Sequence, residues 1–181
     1  MLTQAQVDDG RRYAADALGR AGIVVTPDEV TTIEVSDFGL GELESTGLQL
    51  IVYINTDRVC AKDLVLRPHQ TCPEHRHVGQ HGELGKEETF RVRTGLVYLY
   101  VDGEPTVAPH ATPTRTEHGA YSVWHEVVLH PGEQYTIYPG TRHWFQAGDD
   151  GAVVSEFSTR STDEADLFTD PDIRRITVVE G

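Results

Sequence analysis

The first part of the chain has the periodicity of a helix. Apolar residues between positions 7 and 18 recur at near-helical spacing. Thr3 followed by Gln6 has the form of a capping box, and Gly22 is placed to end the helix. A second, short helical turn is expected at 26–29, where threonine and proline precede two acidic residues. We therefore predict a helical extension over residues 1–30.

The remainder of the chain changes to short segments rich in Val, Ile, Thr and Tyr, separated by turn residues. Such segments, recurring about every ten residues, are typical of a β-sandwich or barrel. Residues 104–121 have little pattern and are predicted to form a surface loop. We predict an all-β domain over 31–181, with strands at 31–35, 48–55, 59–67, 88–101, 122–129, 134–138, 143–147, 152–158 and 174–179.

Composition narrows the possible functions. The 181 residues suit one domain, and 15 Lys and Arg against 29 Asp and Glu give a net charge of −14. Such acidity excludes nucleic acid and anionic membranes as expected partners, and it disfavours phosphorylated substrates. The longest apolar run, 48–54, is too short to span a membrane, and no signal-peptide pattern is present. Cys60 and Cys72 are predicted to be buried thiols, so we expect a cytoplasmic protein.

Histidines supply the candidate chemistry. Four of the nine lie between positions 69 and 81. His75 and His77 alternate, and alternate residues of a strand point to the same face. Glu88 and His143 add a carboxylate and a third imidazole from separate predicted strands. Two histidines, a carboxylate and a further histidine fit an octahedral divalent-metal site with open positions for a substrate.

This ligand pattern resembles the two motifs of the cupin superfamily. Three departures are visible: His69 replaces the first glycine of the motif, ten residues separate His77 from Glu88, and Tyr138 stands where a proline is expected. The resemblance implies a single cupin barrel, a double-stranded β-helix or jelly roll, over 31–181. The matching positions are His75, His77, Glu88, Gly95, Gly140 and His143.

The long gap after His77 leaves three candidate carboxylates. Glu83, Glu87 and Glu88 all lie in the interval, and only Glu88 keeps the motif's spacing to Gly95. We therefore favour Glu88 as the ligand, with the other two as alternatives.

Longer phrases resemble those of the small single-cupin D-lyxose ketol-isomerases, over about residues 60–175. The resemblance implies an enzyme that interconverts D-lyxose and D-xylulose, with D-mannose and D-fructose as a second pair. It also implies a divalent metal, typically Mn²⁺, with Co²⁺, Ni²⁺, Fe²⁺ and Zn²⁺ as alternatives. The implied ligands are His75, His77, Glu88 and His143. The phrases that carry the likeness are 72–77, 85–91, 97–104, 138–145, 155–158 and 163–171.

The expected reaction needs two further groups. Moving a proton between C1 and C2 of a sugar requires a carboxylate over those carbons and positive charge near the oxygens of an enediolate. Glu156 is our candidate base, because its segment resembles a Glu-(Val/Phe)-Ser phrase of related sugar isomerases. Lys86 is our candidate for the positive charge near the sugar oxygens. Alternation leaves open whether Glu156 faces the interior. A hydride shift is the competing mechanism.

Other prominent residues receive structural interpretations. Arg91 and Arg93 fall on the face opposite Glu88, Trp144 is expected outside the cavity, and Phe90 and Phe145 are expected in the core. His81 is not favoured as a metal ligand. The charged tail either closes over the mouth of the barrel or contacts a second subunit; its charged residues are Asp166, Asp170, Arg174 and Arg175.

Three other cupin activities compete with the isomerase. Cupin dioxygenases use a similar ligand set, phosphosugar isomerases require a basic cluster that the sequence does not reveal, and sugar-binding cupins often lack a complete ligand set. A neutral monosaccharide is the expected substrate. Because many cupins pair through strand edges, we expect a homodimer.

Overall fold

The computed structural model describes residues 1–79 and 82–180, apart from the side chain of His118. His81, considered above as a metal ligand, lies outside the described residues, as does the last residue of the predicted β domain. The elements are α1 Gln4–Arg20, α2 Pro27–Thr32, β1 Glu34–Ser36, β2 Leu48–Asn55, β3 Cys60–Leu66, β4 Thr71–Arg76, β5 Glu88–Val101, β6 His125–Leu129, β7 Gln134–Ile137, β8 His143–Ser158 and β9 Leu167–Phe168.

Helix α1 begins and ends as the sequence predicts. The capping box is formed: the Gln6 amide donates to the Thr3 hydroxyl at 3.3 Å, and the Thr3 amide donates to the Gln6 side chain at 2.9 Å. Gly22 follows the helix with φ 76°, a conformation that glycine adopts readily. Leu18 packs with Ile51 in a second apolar cluster on the outer side of the sheet. The helix therefore covers the back of the sheet and leaves its inner face free.

The strands form one antiparallel sheet in the order β1-β2-β3-β8-β4-β9, and β5 extends it by pairing with β6, β7 and β8. The sheet curls so that side chains from both of its ends meet in one core, which includes Phe38, Leu64, Phe90, Leu99 and Phe145. The all-β prediction is confirmed. The division of the chain at residue 30 stays a prediction.

Strand β8 differs from the sequence prediction, which broke it into 143–147 and 152–158 with a turn between them. It is continuous because β5 pairs with both halves: Val97 lies opposite Ala147, and Gly95 lies opposite Ala152. A register shift absorbs the extra residues. A Cβ at Gly95 would lie only 1.9 Å from the Gly151 oxygen, so the close approach at this bend requires a glycine.

Two other strand predictions are wrong. The segment 31–35 is interrupted because α2, capped by Thr26, continues to Thr32. The segment 174–179 forms only an isolated bridge between Leu2 and Val179. The tail instead contributes the two-residue strand β9, which pairs with β4.

The predicted surface loop at 104–121 contains no strand, but it is not wholly on the surface. Ala111, Ala120 and Tyr121 are buried beside Tyr100 and Trp144 in a separate aromatic cluster. The loop therefore covers Trp144 from outside the sheet, and this places Trp144 outside the cavity as predicted.

The remaining sequence predictions concern the thiols and the membrane. Cys60 and Cys72 are free and buried, as expected. Among residues 1–79 and 82–180, no helix has both the length and the apolar character needed to cross a membrane.

Candidate metal centre

Four side chains with metal-binding atoms meet inside the curled sheet. His75 lies near the end of β4 and His77 just after it, while Glu88 and His143 are the first residues of β5 and β8. All four are buried, and one ligand atom from each lies within 4.8 Å of those of the other three. Arg76, between the two histidines, is exposed, so the alternation expected from the sequence is observed. The structure thus brings the predicted set together.

The backbone at Gly85, shortly before Glu88, lies close to the backbone of His77. A Cβ at Gly85 would lie 2.2 Å from the His77 oxygen, so glycine permits the two backbones to touch. Glu83 and Glu87 are exposed, whereas Glu88 is buried among the histidines. Of the three candidate carboxylates, only Glu88 belongs to the cluster.

Each imidazole is oriented by its Nδ1 atom. The three Nδ1 atoms lie beside oxygen acceptors, which directs each Nε2 toward the cluster. These contacts are His75 to the Pro73 carbonyl at 2.9 Å, His143 to the Thr141 carbonyl at 3.1 Å and His77 to the Asp166 carboxylate at 2.5 Å.

The His143 side chain shows whether the cluster fits a metal ion. Within the described residues, the buried Nε2 atom of His143 has no hydrogen-bond partner. It faces Glu88 Oε1 at 3.0 Å without hydrogen-bond geometry. A buried polar atom without a partner is costly, and a cation bound between these atoms removes that cost. The donor set therefore fits a divalent metal ion.

The protonation states also suit metal binding. Burial, together with the neighbouring His143 and His77, lowers the pKa of His75 well below its usual value. Burial opposes ionisation of Glu88, but the charges of Lys86 and His77 outweigh it and hold the pKa of that carboxyl well below normal. His75 is thus neutral and Glu88 ionised, which are the forms that bind metals.

His77 behaves differently in the absence of a metal. Burial favours its neutral form, yet the charge of Glu88 and the hydrogen bond that His77 donates to Asp166 raise its pKa to about 9. Because a metal ligand must lose the proton on the coordinating nitrogen, a cation competes with that proton.

The two candidate catalytic residues lie beside the cluster. Lys86 Nζ is 2.7 Å from Glu88 Oε2 and 3.1 Å from Glu156 Oε1. Glu156 is buried and lines the cavity, while Phe157 next to it is exposed. The sequence did not determine which face of β8 carries Glu156, and in the structure Glu156 faces inward.

Lys86 is a fixed positive charge. Burial disfavours its ammonium form, but Glu156, Glu88 and Asp163 raise its pKa well above the usual value. The third carboxylate, Asp163, lies 3.2 Å from Nζ. Three carboxylates therefore lie within ion-pair distance of the ammonium group, and two of them, Glu156 and Asp163, accept hydrogen bonds from it.

Sequence reasoning missed part of the site. Lys62 on β3 and Asp163 in the tail line the same cavity, which has a volume of about 40 Å³. Asp166, Phe168 and Arg175 line it too, so the tail closes over the mouth of the barrel, one of the two arrangements expected. In the sequence, only the charged residues of the tail indicated that it could cover the barrel. Lys62 was not predicted as a site residue because a lone lysine in a strand is usually solvated.

The remaining aromatic and basic residues lie as predicted. Phe90 and Phe145 are buried core residues and also form part of the cavity wall. Arg91 and Arg93 lie on the opposite face of β5, where Arg93 donates to the Ser155 hydroxyl at 2.8 Å. Neither arginine lines the cavity.

Comparison with known proteins gives a consistent result. The family model described as D-lyxose isomerase matches residues 26–181. The chain is 59% identical over 180 residues to a D-lyxose/D-mannose isomerase of Thermosediminibacter oceani, covering 99% of each chain. It is 56% identical over 172 residues to a D-lyxose ketol-isomerase of Cohnella laeviribosi, covering 95% of this chain and 94% of that one.

Solved structures show the same fold at low sequence identity. An L-ribose isomerase of Cellulomonas parahominis superposes with a TM-score of 0.82 at 17% identity, covering 99% of this chain and 98% of that one. An L-ribose isomerase of Acinetobacter sp. DL28 in complex with L-ribose gives a TM-score of 0.81, also at 17% identity and with the same coverage. These likenesses establish the architecture of the chain.

Proposed function

The chain belongs to the D-lyxose isomerase family, and we propose that it interconverts D-lyxose and D-xylulose, with D-mannose and D-fructose as a second pair. It is an aldose–ketose isomerase. The observation that carries the proposal is the meeting of a four-ligand cluster with a buried lysine and glutamate inside one cavity. Together these groups can supply the base, the positive charge and the bound cation that isomerisation of a 2-hydroxy aldehyde can use.

The proposed metal ligands are His75, His77, Glu88 and His143. When bound, a divalent cation polarises the two reacting oxygens of the sugar. Mn²⁺ is the proposed native ion because three imidazoles and a carboxylate leave open positions in an octahedral arrangement, although Co²⁺, Ni²⁺, Fe²⁺ and Zn²⁺ accept the same donors.

Glu156 is the proposed base. Its carboxylate takes the proton from C2 of the aldose, holds it during the enediolate stage and returns it to C1. The proton of the C2 hydroxyl moves to the carbonyl oxygen at C1, so the ketose forms with no net loss of atoms. The inward position of Glu156 and its contact with Lys86 support this role.

Lys86 is proposed to stabilise negative charge on the sugar oxygens. Its raised pKa keeps it protonated, so it acts as a cation and not as a base. A hydride shift from C2 to C1 is the competing mechanism. Solvent deuterium in the product would establish proton transfer, because a proton held by Glu156 can exchange with water whereas a directly shifted hydride cannot.

The function is tested by incubating manganese-loaded protein with D-lyxose, D-mannose, D-xylose and D-glucose and assaying ketose. We expect turnover of D-lyxose and D-mannose. E88Q should lose bound metal and activity, whereas E87Q, which changes an exposed neighbour, should keep both. Bound metal without turnover of any of the four sugars contradicts the proposal.

A cytoplasmic homodimer is also proposed. Support for self-association comes from apolar side chains exposed near one another on the outer side of the sheet, among them Ile54 and Phe157. Light scattering measures the mass in solution, and a monomeric mass refutes the dimer.

A further inference from the structure

Three cationic side chains converge on Asp163, beyond the four-ligand cluster. Lys62 Nζ lies 2.5 Å from Oδ2, Lys86 Nζ lies 3.2 Å from Oδ1, and Arg175 lies 3.5 Å from Oδ2. The Ser161 hydroxyl also donates to this carboxylate. Both lysine side chains are at least 96% buried, since their exposed fractions are 2% and 4%.

The cations and the carboxylate have different origins in the fold. Lys62 belongs to β3 in the barrel wall, and Lys86 lies two residues before the start of β5. Asp163 begins a short 3₁₀ turn of the tail, at 163–165, which lies over the cavity. The barrel thus supplies both lysines, and the tail supplies Arg175 and the carboxylate of Asp163 that lies between the two lysines.

Without Asp163, the positive charges of Lys62 and Lys86 would have too few negative charges beside them. Glu156 is the other acidic partner they share, at 3.6 Å from Lys62 and 3.1 Å from Lys86. Glu88 contacts Lys86 but is already part of the four-ligand cluster. A buried group of lysine and arginine side chains is typical of a phosphate-binding site.

We propose that Asp163 is a specificity-determining residue whose carboxylate occupies the position that a phosphate group would take, so that the site admits uncharged sugars and rejects phosphorylated ones. The proposal rests on the sugar isomerase function proposed above. Asp163 lines the same cavity as His75 and Glu88, so a sugar held at the cluster lies close to it. A phosphate brought there would meet a fixed negative charge in a site with little water to screen it.

Three variants separate the possible effects. D163A removes both charge and side-chain volume, and D163N removes the charge alone. E164Q is the matched control, because Glu164 is the exposed acidic neighbour in the same turn. Each metal-loaded protein is titrated with inorganic phosphate in a calorimeter at constant ionic strength, and D-mannose 6-phosphate is tested as an inhibitor of D-lyxose turnover.

We expect phosphate to bind D163A and D163N at least about tenfold more tightly than the wild type, because a like charge no longer opposes it. E164Q should match the wild type. D-mannose 6-phosphate should inhibit D163A and leave the wild type unaffected. If D163A is poorly folded, phosphate should raise its melting temperature, and D163N keeps the binding comparison available.

Equal phosphate affinity in all four proteins would overturn the proposal. A gain in E164Q as large as that in D163A would also overturn it, because the effect would then come from net charge alone. Calorimetry requires no turnover. Failure of the wild type to isomerise D-lyxose therefore refutes the proposed function, while the phosphate comparison still decides the role of Asp163.

Discussion

A single contact between distant residues supports the candidate metal centre. His77 Nδ1 lies 2.5 Å from the Asp166 carboxylate, across 89 positions of sequence. A carboxylate behind a metal-binding imidazole fixes the orientation of the ring and increases its basicity as a ligand.

Replacing that carboxylate tests its contribution. D166N should lower the affinity for Mn²⁺ about 10- to 100-fold, the usual cost of removing such a partner. Metal titration followed by calorimetry measures the effect, and E164Q in the same tail segment provides the control. An unchanged affinity in D166N would show that the ring is oriented by other contacts.

At this scale, the sequence predicted the residues that a local pattern or a family resemblance marks. His75 and His77 were identified by the alternation of a strand, and Glu88 by its spacing to Gly95. Lys62 and Asp166 were not identified as site residues, because their contacts depend on how the tail crosses the barrel. No local pattern encodes that path.

The tail is the element that completes the site. Strand β9 pairs with β4, and the Phe168 ring lies 5.4 Å from that of His75. The buried Glu74 anchors the same segment, since its carbonyl accepts from the Thr169 amide at 3.0 Å and its carboxylate accepts from the Thr169 hydroxyl at 2.5 Å. The tail is therefore attached to the strand that carries the first proposed ligand.

Metal binding should stabilise this element more than the rest of the protein. With Mn²⁺ bound at His77, we expect amide hydrogen exchange at 163–170 to slow by at least about tenfold, because opening of the tail would break the Asp166 contact. Amides of α1, on the other side of the sheet, should change little. Equal slowing in both segments would indicate global stabilisation, and no slowing would separate the tail from the metal site.

Elements with strong local signals were predicted correctly. Helix α1 has its capping box and its terminal glycine, and both are formed. Strand β9 has only two residues, and its position depends on contacts of Phe168 and Thr169. The continuity of β8 depends on its pairing with β5. The glycine-rich segment between the two halves of β8 gives no indication of that pairing.

For the whole molecule, net charge proved an incomplete guide to the interior. The chain carries a charge of −14, yet it places Lys62, Lys86 and Arg175 in the wall of one cavity. Composition disfavoured a phosphosugar substrate because no basic cluster was visible. The structure supplies a cluster and an internal carboxylate that neutralises part of it, and the proposed preference for uncharged sugars rests on that carboxylate.

Turnover of D-lyxose by E156Q decides whether Glu156 works with the four-ligand cluster in the proposed isomerisation. Metal content and D-xylulose formation are measured in parallel for E156Q, the wild type and the exposed-site control E87Q. We expect unchanged metal content in E156Q and a kcat lower by about 100- to 10,000-fold, the usual contribution of a general base. Normal turnover by metal-loaded E156Q would refute this role of Glu156.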